Sequence, residues 1–449
     1  MNTAEKSGAP FLPIILSGDI GTYAFARSFY EQWHVKSLII TPQVLGPIRH
    51  SRLLDAITID ESKIDPNLSV FIEKLIEMGP ELAARYPDTP LVLVANQDTH
   101  VVNIQKNVSR LSPYYRFAFP SVDAIELTND KAHFAQAAEK YGLRVPTTVE
   151  LHLDSGTDTL MDAITATLGD KYPLIIKPCQ SYGYERLRWP GKSKVYTAEN
   201  PTRAREILQD LETHTAGTPE ARRFVAQPRV SGNDTHSLSI TAYVDSEKRV
   251  SFLGSAHVLL EDHVPTALGN PAAMITESYP DLYRQVSDFL VGIDWHGFAN
   301  FDVKVDSSTG QAYFFEVNPR IGRNLYYNTA AGNNPLPALI NDIIYHQPTE
   351  PARHFDTILY TVLPIRLILK YTTGQVRHQV QSLHRAGKVF NPLLAPAERQ
   401  FSLRYLRRRL YVWLSTQRHW SKFKRYYPLD ALEAEGRDSF DTVQLRAQR

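Results

Sequence analysis

The sequence predicts a mixed α/β and α+β fold in three blocks: a Rossmann-like unit over residues 1–125, a block rich in antiparallel strands over 126–345, and a basic, mainly helical region over 346–449. Three observations carry this. Short, wholly apolar runs alternate with helical periodicity up to about Pro120, as buried parallel strands and their crossover helices do. Beyond Tyr172, strand-length runs are separated by turn residues at hairpin spacing. Over residues 366–425, fourteen Lys or Arg residues accompany one acid, Glu398. At 449 residues the chain exceeds one compact core, and its 43% apolar and 22% charged residues are ordinary globular values. The net charge of +1 excludes no class of partner, so only the local distribution of charge is informative. The single cysteine, Cys179, rules out an intramolecular disulfide and fits a reducing compartment.

In the first block, residues 13–16, 37–40 and 90–94 read as buried parallel strands, and 22–33 and 68–78 as helices. The turn Ser17-Gly18-Asp19-Ile20-Gly21 opens the first helix, where backbone N–H groups can meet an anion. Plain turn geometry explains such a Gly-X-X-Gly spacing equally well. Asn96-Gln97-Asp98 follows a strand, at the edge where open parallel sheets bind ligands, and reads equally as a polar loop or helix cap.

The second block opens with a helix that Thr128 or Asn129 can cap and that stops at Gly142. Lys131 in its first turn opposes the helix dipole, a placement that contact with a phosphate would compensate. The apolar run 172–176 then ends in Lys177 before Pro178, and a lysine there needs an anion or a route to solvent. Cys179 reads as a small buried side chain. Another strand ends in Gln227 and passes through Val230 into a bend at Gly232, ahead of Asp234. Residues 237–244 and 250–254 form a hairpin. His236, His257 and His263 lack metal-ligand spacing.

A second hairpin turns at Ser307-Ser-Thr-Gly310 and brings Asp302 beside Glu316. Two adjacent carboxylates repel unless a cation lies between them. With Asn318 two residues on, three oxygen ligands can converge as Mg²⁺ requires, and Arg320 adds a fixed cation. The plain reading of an Asp-turn-Glu pair is a surface hairpin with solvated acids. What favours a site is the string Glu316-Val-Asn318-Pro-Arg320-Ile-Gly-Arg323 directly after an apolar strand.

That string resembles the metal-binding strand of the ATP-grasp superfamily. Followed by Asn333-Asn-Pro335, it looks most like the branch of carbamoyl-phosphate synthase and biotin carboxylase, and within it the D-aspartate ligase-like carboxylate–amine ligases. The resemblance implies a pre-ATP-grasp domain that helps bind the amino acid, followed by a two-lobed ATP-grasp domain. It implies ATP with Mg²⁺, or Mn²⁺, held by Asp302, Glu316 and Asn318, and phosphate contacts from Lys131 and Lys177. Adenine would meet the backbone near Gln227 and Val230, the ribose would meet Asp234, and Arg320 and Arg323 would stabilise the transferred group. The family's glycine-rich phosphate lid is replaced here by a stretch with only Gly183 and Gly191, so that Ser181 and basic side chains would serve, ending in Lys194-Val-Tyr196 as in the D-aspartate ligase-like proteins. The implied activity is ADP-forming ligation of an amino acid, D-aspartate in the first instance, to the lysine side chain of a peptidoglycan precursor. A ligase for other amino acids or peptides and a non-catalytic nucleotide binder are the alternatives.

The third block carries no further motif. Its cations, densest at Arg407, Arg408, Arg409, Lys422, Lys424 and Arg425, are interleaved with aromatics. Docking on the rest of the protein with the charges in water is the default for such a face, an anionic membrane or cell-wall precursor comes next, and nucleic acid is not expected. Residues 1–13 lack a basic head before an apolar core, so no secretory signal is expected. The apolar stretch at 358–369 is interrupted by Pro364 and Arg366 and is too short to span a bilayer. The expected location is the cytoplasm, peripheral at the inner face of the membrane if the basic block serves that end.

Overall fold

The computed structural model describes residues 10–64, 68–265, 267–398 and 403–446. The first unit is a five-stranded parallel sheet of β1 (Leu12–Leu16), β2 (Ser37–Thr41), β3 (Leu54–Thr58), β4 (Leu91–Ala95) and β5 (Tyr115–Arg116), in the order β3-β2-β1-β4-β5. β1 and β4 are buried almost throughout, which is why they read as unbroken apolar runs. The second helix, expected to stop near Met78, runs over Ser69–Arg85 straight through Pro80. Gly79 explains part of this continuity: a Cβ there would lie 2.7 Å from the Tyr114 ring, so the helix is packed where a breaker was expected.

A four-stranded antiparallel sheet follows, made of β6 (Val149–His152), β7 (Leu174–Pro178), β8 (Tyr196–Ala198) and β9 (Arg223–Pro228) in the order β6-β9-β7-β8. The third sheet holds β10 (Ser237–Val244), β11 (Val250–Asp262), β12 (Asn270–Thr276), β13 (Gly297–Val305), β14 (Ala312–Asn318), β15 (Leu359–Thr361) and β16 (Val389–Phe390). Its order is β14-β13-β10-β11-β12-β15-β16, so the C-terminal region supplies the last two strands on one side of this sheet. Pro364 splits the apolar stretch there into β15 and the helix Ile365–Tyr371.

The helix Ile20–Trp33 joins the first and third sheets. Every residue from Gly21 to Phe29 is buried, and Phe25 and Phe29 share one core with Phe252, Met274 and Tyr360. Asp19 caps this helix by accepting from the Thr22 N–H at 3.0 Å. A Cβ on Gly21 would come within 2.1 Å of Asn96 Nδ2 and 3.0 Å of Arg323 Cα. Close packing against Asn96 and Arg323 therefore accounts for the glycine at this position.

The C-terminal helix Leu403–Tyr426 closes the structure. Arg408 is 1% exposed and pairs with Glu398, itself 3% exposed. Arg408 also donates to the Pro47 carbonyl at 3.0 Å and the Leu393 carbonyl at 2.7 Å. Glu398 accepts further from the Tyr23 hydroxyl, the Ser51 hydroxyl at 2.7 Å and the Arg52 N–H at 2.8 Å. The one acid in the basic block is thus the buried counterion that fixes the block to the first unit, at the helix Ile20–Trp33 and residues 47–52. Among the described residues no helix is long and apolar enough to cross a membrane.

Removing one partner of this pair leaves an uncompensated buried charge. We expect Arg408→Ala to destabilise the protein by about 3–5 kcal/mol in denaturant unfolding, and Arg408→Met with Glu398→Gln to recover most of the loss. A cost below about 1 kcal/mol for Arg408→Ala would show that water reaches Glu398.

Candidate active site

A cleft of about 430 Å³ lies between the second and third sheets. One wall is Ile175 and Lys177 of β7, Gln227 and Pro228 of β9, and Val230. The other is Asp302 and Lys304 of β13, Phe315 and Glu316 of β14, and Glu261 of β11. The sheets place these groups by register: Ile175 pairs with Gln227 across one wall and Asp302 with Glu316 across the other.

The second register contains a feature that alternation alone misses. Asp302 pairs with Glu316, but Val303 pairs with Phe314, so Phe315 is an extra residue in β14. A regular strand would put Phe314 and Glu316 on one face. With the bulge, Phe314 is fully buried in the core while Phe315 and Glu316 both line the cleft.

Burial and the neighbouring Glu316 push the Asp302 carboxyl well above the usual range, with Arg320 opposing. Asn318 Nδ2 lies 3.4 Å from Asp302 Oδ2, and its Oδ1 accepts from Arg320 at 3.2 Å. Two carboxylates and an amide suit a hard divalent cation such as Mg²⁺ or Mn²⁺, provided the amide turns its oxygen inward. Among the described residues no three His, Cys, Asp or Glu side chains group to hold an ion, so the amide is part of any such set.

Two lysines face these acids. Burial, then the adjacent Lys131, hold the Lys177 amine down to about 8, with Glu316 opposing. Lys177 Nζ is also 5.7 Å from the centre of the Phe315 ring. Lys131, likewise lowered by burial, opens the helix Lys131–Lys140 and lies 3.5 Å from the Cys179 carbonyl. That helix is capped by Asp130, which accepts from the Ala132 and His133 N–H groups at 3.1 and 3.2 Å, whereas Thr128 hydrogen-bonds back to Ala124 within the preceding helix. Asp130 is also held by Arg223 at 2.7 Å and Gln180 at 3.0 Å, and Arg223 bridges on to Glu150. Cys179 is fully buried and its thiol is pushed up to about 12, consistent with a packing role.

The glycine-poor lid is built from aromatics. The short helix Ser181–Arg186 is pinned by Tyr184, whose hydroxyl meets the Ser193 carbonyl at 2.7 Å and the Tyr196 hydroxyl at 2.6 Å. The Ser181 side chain lies outside the described residues.

Some expected groups sit elsewhere. Gln227 lines the cleft but donates to Thr148 at 2.8 Å. Asp234 is buried away from the cleft lining, and its Oδ2 accepts from the Glu261 N–H and His263 Nε2, both at 2.9 Å. The ribose role implied for Asp234 is therefore not supported by its position, because both its burial and its partners are internal. Glu261, which the sequence did not single out, lines the cleft with its carboxyl raised to about 7 by burial and Asp234. Lys304 stands on the same wall. The pattern of β11 gave no signal for Glu261, since the hairpin partner was expected to end at 254 rather than run to Asp262. Arg320 reaches across to the first sheet, its Nε 2.9 Å from Asp98 Oδ1. Arg323 sits beside Gly21, with buried Tyr360 and His419 within its electrostatic reach. The three histidines act structurally: His236 packs on Phe440, His257 meets the Thr235 carbonyl at 2.6 Å, and His263 stacks on Tyr427 at 3.6 Å.

No protein-family model matches the chain. It is similar to D-aspartate ligase of Enterococcus faecium (strain Aus0004), 28% identical over 350 residues that cover 78% of this chain and 80% of that protein. Among solved structures it is similar to biotin carboxylase from Campylobacter jejuni in complex with β,γ-ATP, at 14% identity and TM-score 0.52 over 74% of this chain and 70% of that one. It is equally similar to N5-carboxyaminoimidazole synthetase from Staphylococcus aureus, at 15% identity and TM-score 0.52 over 79% and 82%. The biotin carboxylase domain of 2-oxoglutarate carboxylase from Hydrogenobacter thermophilus, complexed with MgADP and bicarbonate, matches at 14% identity and TM-score 0.53 over 76% and 71%. These likenesses bear out the expectation, carried by residues 316–323, of an ATP-grasp enzyme of the ligase class. The chain thus shares its fold with the biotin carboxylases and N5-carboxyaminoimidazole synthetase, and in sequence it is similar to a D-aspartate ligase.

Proposed function

We propose that this chain is an ATP-dependent carboxylate–amine ligase working through an acyl phosphate. Residues 1–125 would serve the acid substrate, 126–345 the nucleotide, and 346–449 the acceptor's surroundings. The observation that carries this reading is that Lys177 lines one cleft with Asp302 and Glu316, with Lys131 behind it within electrostatic reach of Lys177 and Glu316, and that Arg320 nearby pairs with Asp98 of the first unit. ATP would lie with adenine against Gln227 and Val230, ribose toward Glu261 in place of Asp234, and phosphates between the lysines under the lid that starts at Ser181.

Asp302, Glu316 and Asn318 would hold Mg²⁺, or Mn²⁺, which would draw charge from the β- and γ-phosphates. Lys131 and Lys177 neutralise the phosphate oxygens and thereby regain the charge that burial disfavours. The substrate carboxylate attacks the γ-phosphorus, forming a carboxyl–phosphate bond and releasing ADP. Arg320 and Arg323, at the boundary with the first sheet, stabilise the negative charge that develops on the transferred group. The acceptor amine then attacks the acyl carbon, loses a proton and expels phosphate, leaving an amide. No side-chain nucleophile is required.

The similarity to D-aspartate ligase supports D-aspartate as the acid and the ε-amino group of lysine in a peptidoglycan precursor as the acceptor. The site of action would be the cytoplasm, with the basic C-terminal region toward the inner face of the membrane that carries such precursors. The aromatic lid favours a second reading, a nucleotide binder without turnover.

Trapping separates the two readings. With ATP, Mg²⁺, D-aspartate and hydroxylamine, we expect an amino-acid hydroxamate and ADP. AMP with pyrophosphate would overturn the mechanism, and nucleotide binding without either product would leave only the second reading.

Glu316→Gln removes a charge from an exposed position, no core contact and a repulsion against Asp302, so we expect turnover to fall at least about 100-fold with the unfolding midpoint unchanged or raised. Activity near wild type would exclude Glu316 from the site.

Burial and Lys131 hold the Lys177 amine down to about 8, and only its protonated form attracts phosphate. Nucleotide affinity should therefore be full below that pH and fall as pH rises through it. Lys177→Arg should remove this fall, whereas a fall that persists in the arginine variant would assign it to another group.

A further inference from the structure

The C-terminal helix Leu403–Tyr426 has two faces with different tasks. Arg408, Val412, His419 and Phe423 recur at helical spacing and are all buried. They dock the helix on two cores: Val412 belongs to the core shared by the first and third sheets, and Phe423 to the core with β11, β12 and β15. Lys422 adds an ion pair with Asp262 at 3.4 Å. Arg408 and Lys422 therefore leave the set of six cations that the sequence grouped as one surface.

The opposite face of the first three turns is apolar, and among the described residues nothing covers it. Leu403, Leu406, Leu410, Trp413 and Leu414 follow one another at steps of three, four, three and one, which puts them on a single stripe. Leu403 is 67% exposed and Trp413 57%, and the other three are exposed as well. Exposed Arg407 and Arg418 flank the stripe on one side and Arg409 on the other. The whole helix carries eight Lys or Arg residues and no Asp or Glu.

We propose that this face inserts shallowly into an anionic membrane surface, seating the cleft beside a membrane-borne acceptor. The placement of the acceptor rests on the ligase reading above, whereas the membrane contact stands on the helix alone. An apolar stripe flanked by arginines is the pattern of a helix lying in the interfacial plane. Charge complementarity selects the occupant. A second copy of the same helix would bring arginines against arginines with no carboxylate to answer them, while anionic headgroups answer all of them. A purely phosphate-binding surface would not need five large apolar side chains at its centre. Trp413 sits where an amphipathic ring meets the headgroup boundary.

The test uses the full chain with vesicles of phosphatidylglycerol in phosphatidylcholine, and of phosphatidylcholine alone. Wild type should float with the anionic vesicles at low salt, with a blue shift of tryptophan emission. Trp413→Phe should still float but lose most of that shift. Arg407→Gln with Arg409→Gln and Arg418→Gln should weaken partition by about fivefold per arginine and flatten its salt dependence. Leu406→Gln with Leu410→Gln should weaken it at least tenfold while keeping the salt dependence. Both sets should form hydroxamate with free D-aspartate at the wild-type rate.

The proposal fails if wild type ignores anionic vesicles at low salt or binds neutral ones equally well. It also fails if the chain sediments as a dimer that Leu406→Gln with Leu410→Gln dissolves, or if a folded variant loses hydroxamate formation. Wild type that floats as described but forms no hydroxamate would uphold the membrane face and overturn the ligase reading.

Discussion

The structure turns on one unfavourable contact, the placing of Asp302 against Glu316 by the β13–β14 register. Strand pairing holds them together at a cost, since burial and mutual repulsion force Asp302 toward its protonated form. Opposite them stand two half-buried lysines, Lys177 on the second sheet and Lys131 at the start of the adjoining helix, whose charge is disfavoured by burial and, for Lys177, by Lys131 as well. Each half of the cleft is therefore poorly stabilised alone, and a cation-bound polyanion between them would relieve both together. Such mutually strained charges on facing walls are what a site for a metal-complexed polyphosphate requires, and an ordinary hairpin has no use for them.

The remainder of the fold keeps these walls and the first sheet in place. The helix Ile20–Trp33 packs without room for a side chain at Gly21, so the loop carrying Arg323 meets the first sheet with little slack. Arg320 spans the same boundary to Asp98. The C-terminal helix clamps the assembly from outside through Arg408 and Glu398, and through Phe423 beside His263, whose ring in turn holds Asp234. A charge-rich terminal block thus acts as packing on its inner face and leaves its outer face for another partner.

Much of this was legible in the sequence because the signals were local. Apolar runs marked β1, β2, β4, β7 and β10, and a hairpin turn with acids at matching distance marked the pair Asp302 and Glu316. What was not legible depended on contacts distant in sequence. The bulge at Phe315 decides which side chains face the cleft, yet its signature is only a register shift against β13. Glu261 enters the cleft because β11 runs on to Asp262, and Asp234 is withdrawn because His263 and the Glu261 backbone occupy it. The cap of the Lys131 helix was placed one or two residues early because Thr128, Asn129 and Asp130 are all good caps, and only the packing of Arg223 selects Asp130. Likewise Arg408 looks like its neighbours Arg407 and Arg409 until its partner Glu398 is seen.

The central claim is that Asp302, Glu316 and Asn318 hold a divalent cation together with nucleotide phosphates. Mn²⁺ binding followed by electron paramagnetic resonance tests it most directly, with phosphorus couplings read in the ADP complex. The account predicts weak Mn²⁺ binding by the free protein, much tighter binding with ADP, resolved coupling to nucleotide phosphorus, and loss of the tight site in Glu316→Gln. Tight Mn²⁺ binding that needs no nucleotide, shows no phosphorus coupling and survives Glu316→Gln would contradict it.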